Sequence, residues 1–203
     1  MEVPMKLTTI LASAALALAS HAAFAASAGQ AAPDFSVTDS TGKAVHLSDY
    51  KGKFVVLEWT NPECPFVRKH YDSANMQTLQ KEWGAKDVVW LSVNSTSRSS
   101  FEYKTGAQMN SWMQSQGAAQ KAVLIDGDSA TGRQYAAKTT PHMFVVDPKG
   151  QIVYAGAIDD KRSARPEDVK TSTNYVRLAL TEAMAGKPVS TPNTTPYGCS
   201  VKY

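Results

Sequence analysis

The stretch that decides the fold runs from residue 54 to residue 67 and has the sequence FVVLEWTNPECPFV. Its first part, 54–57, is an unbroken β-favouring run that Glu58 and Trp59 continue, as expected of a central strand buried on both faces. Asn61-Pro62-Glu63 ends this strand. Pro65 fits the first turn of a helix, because a residue there needs no hydrogen-bond donor. The stretch therefore predicts a strand, a short turn and a helix, with Cys64 at the start of the helix.

The elements on either side of this stretch alternate between strands and helices. The sequence predicts a hairpin within 34–46, a helix over 65–83, a strand over 88–93, a short helix ended by Gly117, a strand over 122–125, a helix over 130–137, a hairpin of 143–146 and 152–155, and a last helix over 172–185. This order predicts an α/β fold: a central mixed sheet with parallel centre strands, an antiparallel edge pair and helices on both faces. The first hairpin is an N-terminal β-hairpin extension.

Length and composition limit the classes of protein to consider. The chain has 203 residues, enough for one domain with short additions. An apolar content of 43% allows a sizeable core, which argues against wholesale disorder. The net charge of +3 is spread over many positions, without a block of Lys and Arg. Composition therefore indicates neither a nucleic-acid partner nor binding to an anionic membrane surface.

The first 25 residues have the pattern of a secretory signal peptide. Lys6 supplies the positive charge, an uncharged run rich in Leu and Ala covers 7–20, and Ala23-Phe24-Ala25 is a small-residue cleavage signal. The alternative is an uncleaved anchor, but the apolar run is shorter than the roughly 20 residues that span a bilayer. We therefore predict cleavage after Ala25 and an exported, periplasmic product with no membrane span after removal of the signal.

The rest of the chain divides into three parts. Residues 26–33 are a small-residue linker, 34–186 form the predicted domain, and 187–203 form a polar C-terminal tail. The chain has two cysteines, Cys64 in the domain and Cys199 in the tail. Because disulfides persist in oxidising compartments, an exported chain with two cysteines can form one bridge.

Cys64 has the sequence context of a reactive cysteine. At the N-terminus of a helix, free backbone N–H groups and the helix dipole favour the thiolate, which is the reactive form. Arg68 lies one helical turn further on and would supply supporting positive charge. The alternative is a buried structural cysteine, a common role for this residue type.

Two segments resemble the active site of thioredoxin-fold proteins. One is VVLEWTNPECPFV at 55–67, and the other is TTPHMFVVDPKG at 139–150. From about Ala32 to Tyr203, with an N-P-x-C-P-F-V core and a G-C-S-V-K-Y ending, the chain is similar to the exported, peroxiredoxin-like branch of the redoxin (AhpC/TSA) superfamily. This resemblance implies a thioredoxin-like fold over the domain.

The resemblance also implies roles for individual residues. Cys64 matches the nucleophilic cysteine, whereas Val67 stands where thioredoxins have the second cysteine. Glu58 matches a buried acid used in proton transfer; the alternative is a strand-edge glutamate in solvent. Pro141 matches a cis-proline, and Thr140 before it would offer a strand edge to an extended substrate. Together with Pro65, these two residues would form the substrate groove.

The second thiol must come from elsewhere if Cys64 is catalytic. A nucleophilic cysteine forms a mixed disulfide or a sulfenic acid, and either product needs a resolving thiol. Cys199 is the one candidate within the chain, and the tail from Lys187 is long enough to reach on the order of 40 Å. Two alternatives remain open: a purely structural Cys64–Cys199 staple, and a bridge between subunits.

Peroxide reduction is supported less well by the sequence. The P-x-x-x-T-x-x-C motif of authentic peroxiredoxins is missing, and Pro141 stands where they have an arginine. Arg68 or Arg133 could assist instead.

The leading hypothesis is therefore an enzyme, a thiol-disulfide oxidoreductase acting on protein or small-molecule thiols and disulfides with an unidentified external electron donor. A thiol peroxidase and a non-catalytic stapled module are the alternatives.

The remaining polar candidates have simpler interpretations. We interpret His70 as a solvated helix residue, and Asp159-Asp160 as a solvated turn. His142 follows Pro141 and is a candidate to line the site. Cys64 with either histidine could bind copper, but no second cysteine lies nearby at ligand spacing. We therefore predict no metal and no other cofactor.

Overall fold

A computed structural model of the protein describes residues 26–203. The predicted signal peptide, residues 1–25, lies outside the described residues. The strands are β1 Ser36–Thr38, β2 Ala44–His46, β3 Val55–Trp59, β4 Val89–Asn94, β5 Ala122–Ile125, β6 Thr139–Thr140, β7 His142–Val146, β8 Ile152–Gly156 and β9 Cys199–Ser200. The α-helices are α1 Pro65–Asp72, α2 Asn75–Gly84, α3 Gly106–Ser115, α4 Ala130–Gln134 and α5 Tyr175–Met184, and 3-10 turns occupy Leu47–Tyr50 and Pro166–Thr171.

The central sheet has the strand order β5-β4-β3-β7-β8. Strands β3, β4 and β5 are parallel, whereas β7 pairs antiparallel with both β3 and β8. Strand β3 is thus the centre of the sheet, and all five of its residues are buried. The predicted mixed sheet, with parallel centre strands and an antiparallel edge pair, is confirmed.

Alternate residues of β3 point to two separate hydrophobic cores, as the pleat of a strand requires. On one face Val56 packs among side chains of helices α1, α2, α3 and α5. On the other face Leu57 and Trp59 pack against the β1–β2 hairpin, Tyr135 and Ala137. Helices therefore lie on both faces, as predicted, although the short α4 shares its face with the N-terminal hairpin.

The predicted single helix over 65–83 is wrong in one respect, because it is two helices. Helix α1 ends at Asp72, and α2 begins at Asn75 after Ala74, which has a left-handed φ of 58°. The break turns both Tyr71 and Met76 into the same core. The break explains why the apolar residues of this segment do not follow a single helical period.

Both ends of the described chain pack against the domain. In the predicted linker 26–33, the N–H groups of Gly29 and Ala32 donate to carbonyl oxygens of Ile152 and Gly150. In the predicted tail 187–203, Tyr197 is buried in the first core and Cys199 begins β9. Between residues 26 and 203, no helix is long and apolar enough to cross a membrane.

Candidate active site

Cys64 is the N-cap residue of α1, one residue before Pro65 at the first helical position. Its N–H donates to the carbonyl oxygen of Asn61, and its own carbonyl accepts from Val67 and Arg68. This turn follows directly on β3, so the centre of the sheet fixes the position of the sulfur. Cys64 is only 1% exposed. The predicted start of the helix is confirmed, and the thiol lies beneath other residues rather than on the surface.

Thr140 covers the sulfur of Cys64. Its carbonyl oxygen lies 2.9 Å from Cys64 Sγ and accepts a hydrogen bond from the thiol. The Thr140–Pro141 peptide bond is cis, as the resemblance implies. Thr140 is buried, and its hydroxyl has no hydrogen-bond partner among the residues of 26–203.

The edge of Thr140 is already paired with the protein's own tail. Strands β6 and β9 are antiparallel, with Thr140 opposite Cys199 and Thr139 opposite Ser200. Gly198, just before β9, has a φ of 136°, and a Cβ there would overlap the carbonyl oxygen of Thr140. The groove that we predicted for an extended substrate is therefore occupied, in this conformation, by residues 198–200.

The same pairing brings the two thiols together. Both cysteines are free, Cys64 buried and Cys199 partly exposed. Burial raises the pKa of the Cys199 thiol to about 12, and the hydrogen bond and charge of the neighbouring Cys64 act in the same direction. Cys199 is thus a thiol that is hard to deprotonate while it lies against Cys64.

Glu58 lies on the face of β3 that faces the first core, and it is fully buried. The alternative of a solvated strand-edge glutamate is therefore wrong, because β3 is the centre of the sheet. One carboxylate oxygen accepts from Tyr71 Oη at 3.0 Å. The other accepts from Trp90 Nε1 at 2.8 Å, Ser92 Oγ at 3.1 Å and, at 3.4 Å, Gln80 Nε2. Burial raises the pKa of Glu58 to about 7, although these hydrogen bonds act to lower it.

Arg68 binds the loop before Cys64 rather than the sulfur. Its Nε donates to the carbonyl oxygen of Pro62 at 2.8 Å, and its Nη2 lies 3.4 Å from the Glu63 carboxylate. Lys104 pairs with the same carboxylate at 2.8 Å. Arg133 lies over the ring of Tyr203. Any supporting charge from Arg68 therefore acts on the loop that holds Cys64.

Helix α1 also carries a buried polar cluster that connects it to the tail. Lys69 and Asp159 form an ion pair at 3.2 Å with both side chains fully buried. The Tyr197 hydroxyl donates to Asp159 and accepts from Lys69 Nζ at 3.2 Å. His70 Nε2 lies 3.3 Å from the same hydroxyl. The interpretation of His70 and Asp159 as solvated residues is wrong, because both are buried between α1, the segment after β8 and the tail.

His142 lies away from Cys64, on the other face of the sheet. Its ring packs against that of Phe144, which belongs to the second core. Its Nδ1 accepts from the N–H of Lys138, and burial lowers its pKa to about 3. Across residues 26–203, no three His, Cys, Asp or Glu side chains are grouped so that they could hold a metal ion.

Sequence analysis missed the residues that hold the tail. Lys69 and His70 lie between Val67 and Tyr71, which the apolar stripe of the helix places in the core. Their position next to core residues was the available sign that they are buried and need polar partners. Tyr197 is two residues before Cys199, and aromatic residues are rare in that polar segment. Asp159 carried no signal of its own, because its partners lie far away in the sequence.

A thioredoxin-like fold, a cis-proline and a helix-capping cysteine beneath it define a protein of the redoxin class. The sequence profile of the AhpC/TSA family matches residues 28–155, more than half of the chain, and the chain belongs to this family.

Sequence relatives agree with this assignment, and a solved structure shares the fold. Two proteins of Bacillus subtilis strain 168 are similar in sequence. The thioredoxin-like protein YneN is 29% identical over 70% of this chain and 79% of its own length. The thiol-disulfide oxidoreductase ResA is 28% identical over 63% of this chain and 65% of its own length. An uncharacterized conserved protein from Geobacillus kaustophilus has a similar structure, with a TM-score of 0.77, 26% identity and coverage of 87% of this chain and 92% of that one.

Proposed function

We propose that this protein is a thiol-disulfide oxidoreductase in which Cys64 is the nucleophile and Cys199 is the resolving thiol. One observation carries the proposal: the pairing of Cys199 with Thr140, whose carbonyl oxygen is bonded to Cys64 Sγ. Cys199 in the tail thus takes the role of the second cysteine of a C-x-x-C motif, a position that Val67 occupies in this chain. The similarity to ResA, which is named a thiol-disulfide oxidoreductase, supports the same chemistry.

The proposed reaction is two successive thiol-disulfide exchanges. The Cys64 thiolate attacks a substrate disulfide, forms a mixed disulfide with one half and releases the other half as a thiolate. The Cys199 thiolate then attacks Cys64 Sγ, forms the Cys64–Cys199 disulfide and releases the first half. The substrate is reduced and the protein is oxidised by two electrons. An external thiol or dithiol donor, or reversal of the same steps, restores the two thiols.

Glu58 is the proposed proton acceptor for this cycle. Its carboxyl is buried on the face of the sheet that also holds Cys64, within the core that Tyr71 closes. A pKa of about 7 lets it exchange a proton near neutral pH, which suits an acid–base group. Because Cys199 has a high pKa, it must lose its proton when it attacks. Glu58 would take up that proton.

The substrate groove needs the tail to move. Pro65, Thr140 and Pro141 would flank a substrate sulfur at Cys64, but residues 198–200 fill this space when Cys199 is in place. We propose that the tail leaves Thr140 when substrate binds and returns for the second exchange. Two features support this movement. Cys199 is partly exposed, and the two-residue strand β9 lies outside the central sheet.

The proposed site of action is the space outside the cytoplasmic membrane, most simply the periplasm. The charge, apolar run and A-x-A signal of residues 1–25 support this proposal. Intact-mass analysis of the protein recovered from a bacterial periplasmic extract is the test. A mature chain beginning at Ala26 is expected; a full-length chain retained in membranes would contradict it.

The two alternatives have less support. In a thiol peroxidase, the peroxide would oxidise Cys64 to a sulfenic acid and leave as water or an alcohol. The sulfenic acid would then condense with the Cys199 thiol to a disulfide and water. However, the described contacts of Arg68 and Arg133 lie with the loop and with Tyr203 rather than with Cys64. A static staple would use the same two sulfurs without turnover, and only a redox measurement separates it from the proposed enzyme.

Reduction of a model disulfide, with wild type and Cys64→Ser compared, tests the proposal. We expect oxidised glutathione to convert wild type to its Cys64–Cys199 disulfide within minutes, with release of two reduced glutathione molecules. Cys64→Ser should release none by this route. Unchanged release from Cys64→Ser would overturn the assignment of Cys64. Faster consumption of hydrogen peroxide than of glutathione disulfide would favour the peroxidase. Slow reaction of the reduced protein with both oxidants would favour the staple.

A further inference from the structure

The buried polar cluster beneath the tail consists of Lys69, His70, Asp159 and Tyr197. It joins three parts of the chain: α1, which begins at Cys64, the segment after β8, and the tail that carries Cys199. All four residues are buried, and Lys69, His70 and Asp159 are at most 1% exposed. None of them takes part in the proposed sulfur chemistry.

The hydrogen bonds of the cluster are saturated. Lys69 Nζ donates to Asp159 Oδ2, to the carbonyl oxygen of Lys161 at 2.6 Å and to the Tyr197 hydroxyl. Asn75 Nδ2 donates to His70 Nδ1 at 2.9 Å, which leaves Nε2–H of the neutral ring to donate to Tyr197. The Tyr197 hydroxyl therefore accepts from Lys69 and His70 and donates to Asp159. Three buried side chains thus specify the position of one tail hydroxyl.

The ring of Tyr197 makes a second contact with the active-site helix. It lies edge-to-face with Phe66, two residues after Cys64, at a centroid distance of 5.9 Å. Only Gly198 separates Tyr197 from Cys199. Because a strand advances about 3.3 Å per residue, an anchor at Tyr197 leaves Cys199 little freedom to move from Thr140.

We propose that Lys69, His70, Asp159 and Tyr197 form a latch that positions Cys199 for attack on Cys64. The four are positioning residues, and none touches the reacting sulfur atoms in this role. A buried ion pair is weak evidence for a contribution to stability, but its two charges are satisfied only in a geometry that keeps their partners in place. Here the geometry that it favours is the one in which the tail covers Cys64.

The latch defines two states of the tail. With Tyr197 in place, Cys64 is covered and Cys199 has a high effective concentration next to it. With Tyr197 released, Cys64 is uncovered and Cys199 is tethered only by flexible chain. The inference rests on the proposed function for its link to sulfur exchange, but the covering of Cys64 is independent of that link.

Tyr197→Phe is the sharpest variant, because it keeps the ring against Phe66 and removes the hydroxyl that all three buried partners share. Tyr135→Phe is the matched control. Tyr135 is also buried, in the other core, and its hydroxyl donates a single hydrogen bond, to the carbonyl oxygen of Pro33 at 2.6 Å. Both variants lose one buried hydroxyl, and only Tyr197→Phe loses it from the latch.

The first measurement is the equilibrium of the Cys64–Cys199 disulfide with reduced and oxidised glutathione. We expect Tyr197→Phe to lower the effective concentration of Cys199 about tenfold or more, since the lost hydroxyl binds a charged pair. Tyr135→Phe should leave it unchanged. The second measurement is the alkylation rate of reduced Cys64 by iodoacetamide, in a Cys199→Ser background, which should rise in Tyr197→Phe alone. Urea unfolding of each variant shows that the folded state is the one measured.

The outcomes separate this inference from the proposed function. If wild type forms no intramolecular disulfide in glutathione buffer, the proposed function fails, and the alkylation rates still decide whether Tyr197 holds the tail over Cys64. If wild type forms the disulfide but Tyr197→Phe behaves like Tyr135→Phe in both measurements, the latch is wrong and the function stands. A shift of equal size in both variants would indicate a general loss of stability and would also overturn the latch.

Discussion

Cys64 Sγ lies 2.9 Å from the carbonyl oxygen of Thr140, the residue that precedes the cis-proline. The backbone of Thr140 is at the same time the strand partner of Cys199. One residue therefore contacts both cysteines, although 134 residues of chain separate them in the sequence. This relationship makes an intramolecular disulfide possible without a C-x-x-C motif. It leads to three predictions, and the buried carboxyl of Glu58 leads to a fourth.

Replacement of the resolving thiol should stop the reaction halfway. In Cys199→Ser, Cys64 can still form a mixed disulfide with glutathione, but no second thiol of the chain can displace it. We expect intact-mass analysis to show one stable glutathione adduct on Cys64. Cys64→Ser, the matched variant, should carry no adduct at residue 64, and a wild-type-like turnover by Cys199→Ser would contradict the assignment of Cys199.

A methyl group at Gly198 should push the tail off Thr140. The Cβ of Gly198→Ala would overlap the Thr140 carbonyl oxygen, and the φ of 136° is unfavourable for any side chain. We expect reduced Cys64 to react with iodoacetamide about tenfold faster or more than in wild type, if the displaced pairing is worth about 1.4 kcal/mol.

Gly150→Ala is the control for the glycine experiment. Gly150 also has a positive φ, 81°, but nothing lies within 4 Å of the position of a Cβ there. It therefore carries the backbone strain without the clash. Equal reactivity of Cys64 in the two variants would show that strain, rather than displacement of the tail, is responsible.

Glu58 should make stability depend on pH. Burial raises the pKa of Glu58 in the folded protein to about 7, above the value of 4.5 for an unperturbed glutamate. Between these two values the folded state keeps a proton that the unfolded state has lost, so the free energy of unfolding falls as pH rises. The size of this fall is about 3 kcal/mol, and it is complete above pH 7.

Glu58→Gln tests this dependence. The amide can accept from Trp90 through its oxygen and donate to the Tyr71 hydroxyl through its nitrogen, so the buried contacts are kept. We expect the free energy of unfolding measured in urea to fall from pH 5 to pH 7 in wild type, relative to its change in Glu58→Gln. In Glu58→Gln, the rate of disulfide exchange should no longer depend on a group with a pKa near 7. Parallel stability profiles for the two proteins would refute the raised pKa.

Oxidation should stabilise the fold through the tail. A Cys64–Cys199 disulfide closes a long loop, which adds about 4–5 kcal/mol in the chain-entropy model. We expect oxidised wild type to unfold at higher urea concentration than reduced wild type. Cys199→Ser should give the same midpoint with and without reductant, and a redox-dependent midpoint in that variant would show that the effect comes from elsewhere.

The sequence by itself determined the scaffold and the place of Cys64. The strand and the helix start can be predicted from local sequence, because both depend on neighbouring residues: the apolar run 54–57 continued by Glu58 and Trp59, the turn at Asn61-Pro62-Glu63, and Pro65. The mixed sheet and the helix start at Cys64 follow from that pattern, and the structure confirms both. The break at Ala74 was missed, because alanine is a good helix former and core packing rather than propensity places it there.

Only the tertiary structure decided which groups surround Cys64. The burial of Glu58, His70 and Asp159 depends on contacts between residues far apart in the sequence, and the local pattern does not identify the partners of these side chains. The position of Cys199 depends on the pairing of β9 with β6 and on the contacts of Tyr197. The physical reason is that sequence pattern records what a residue prefers, whereas burial and pairing record which partners the folded chain supplies.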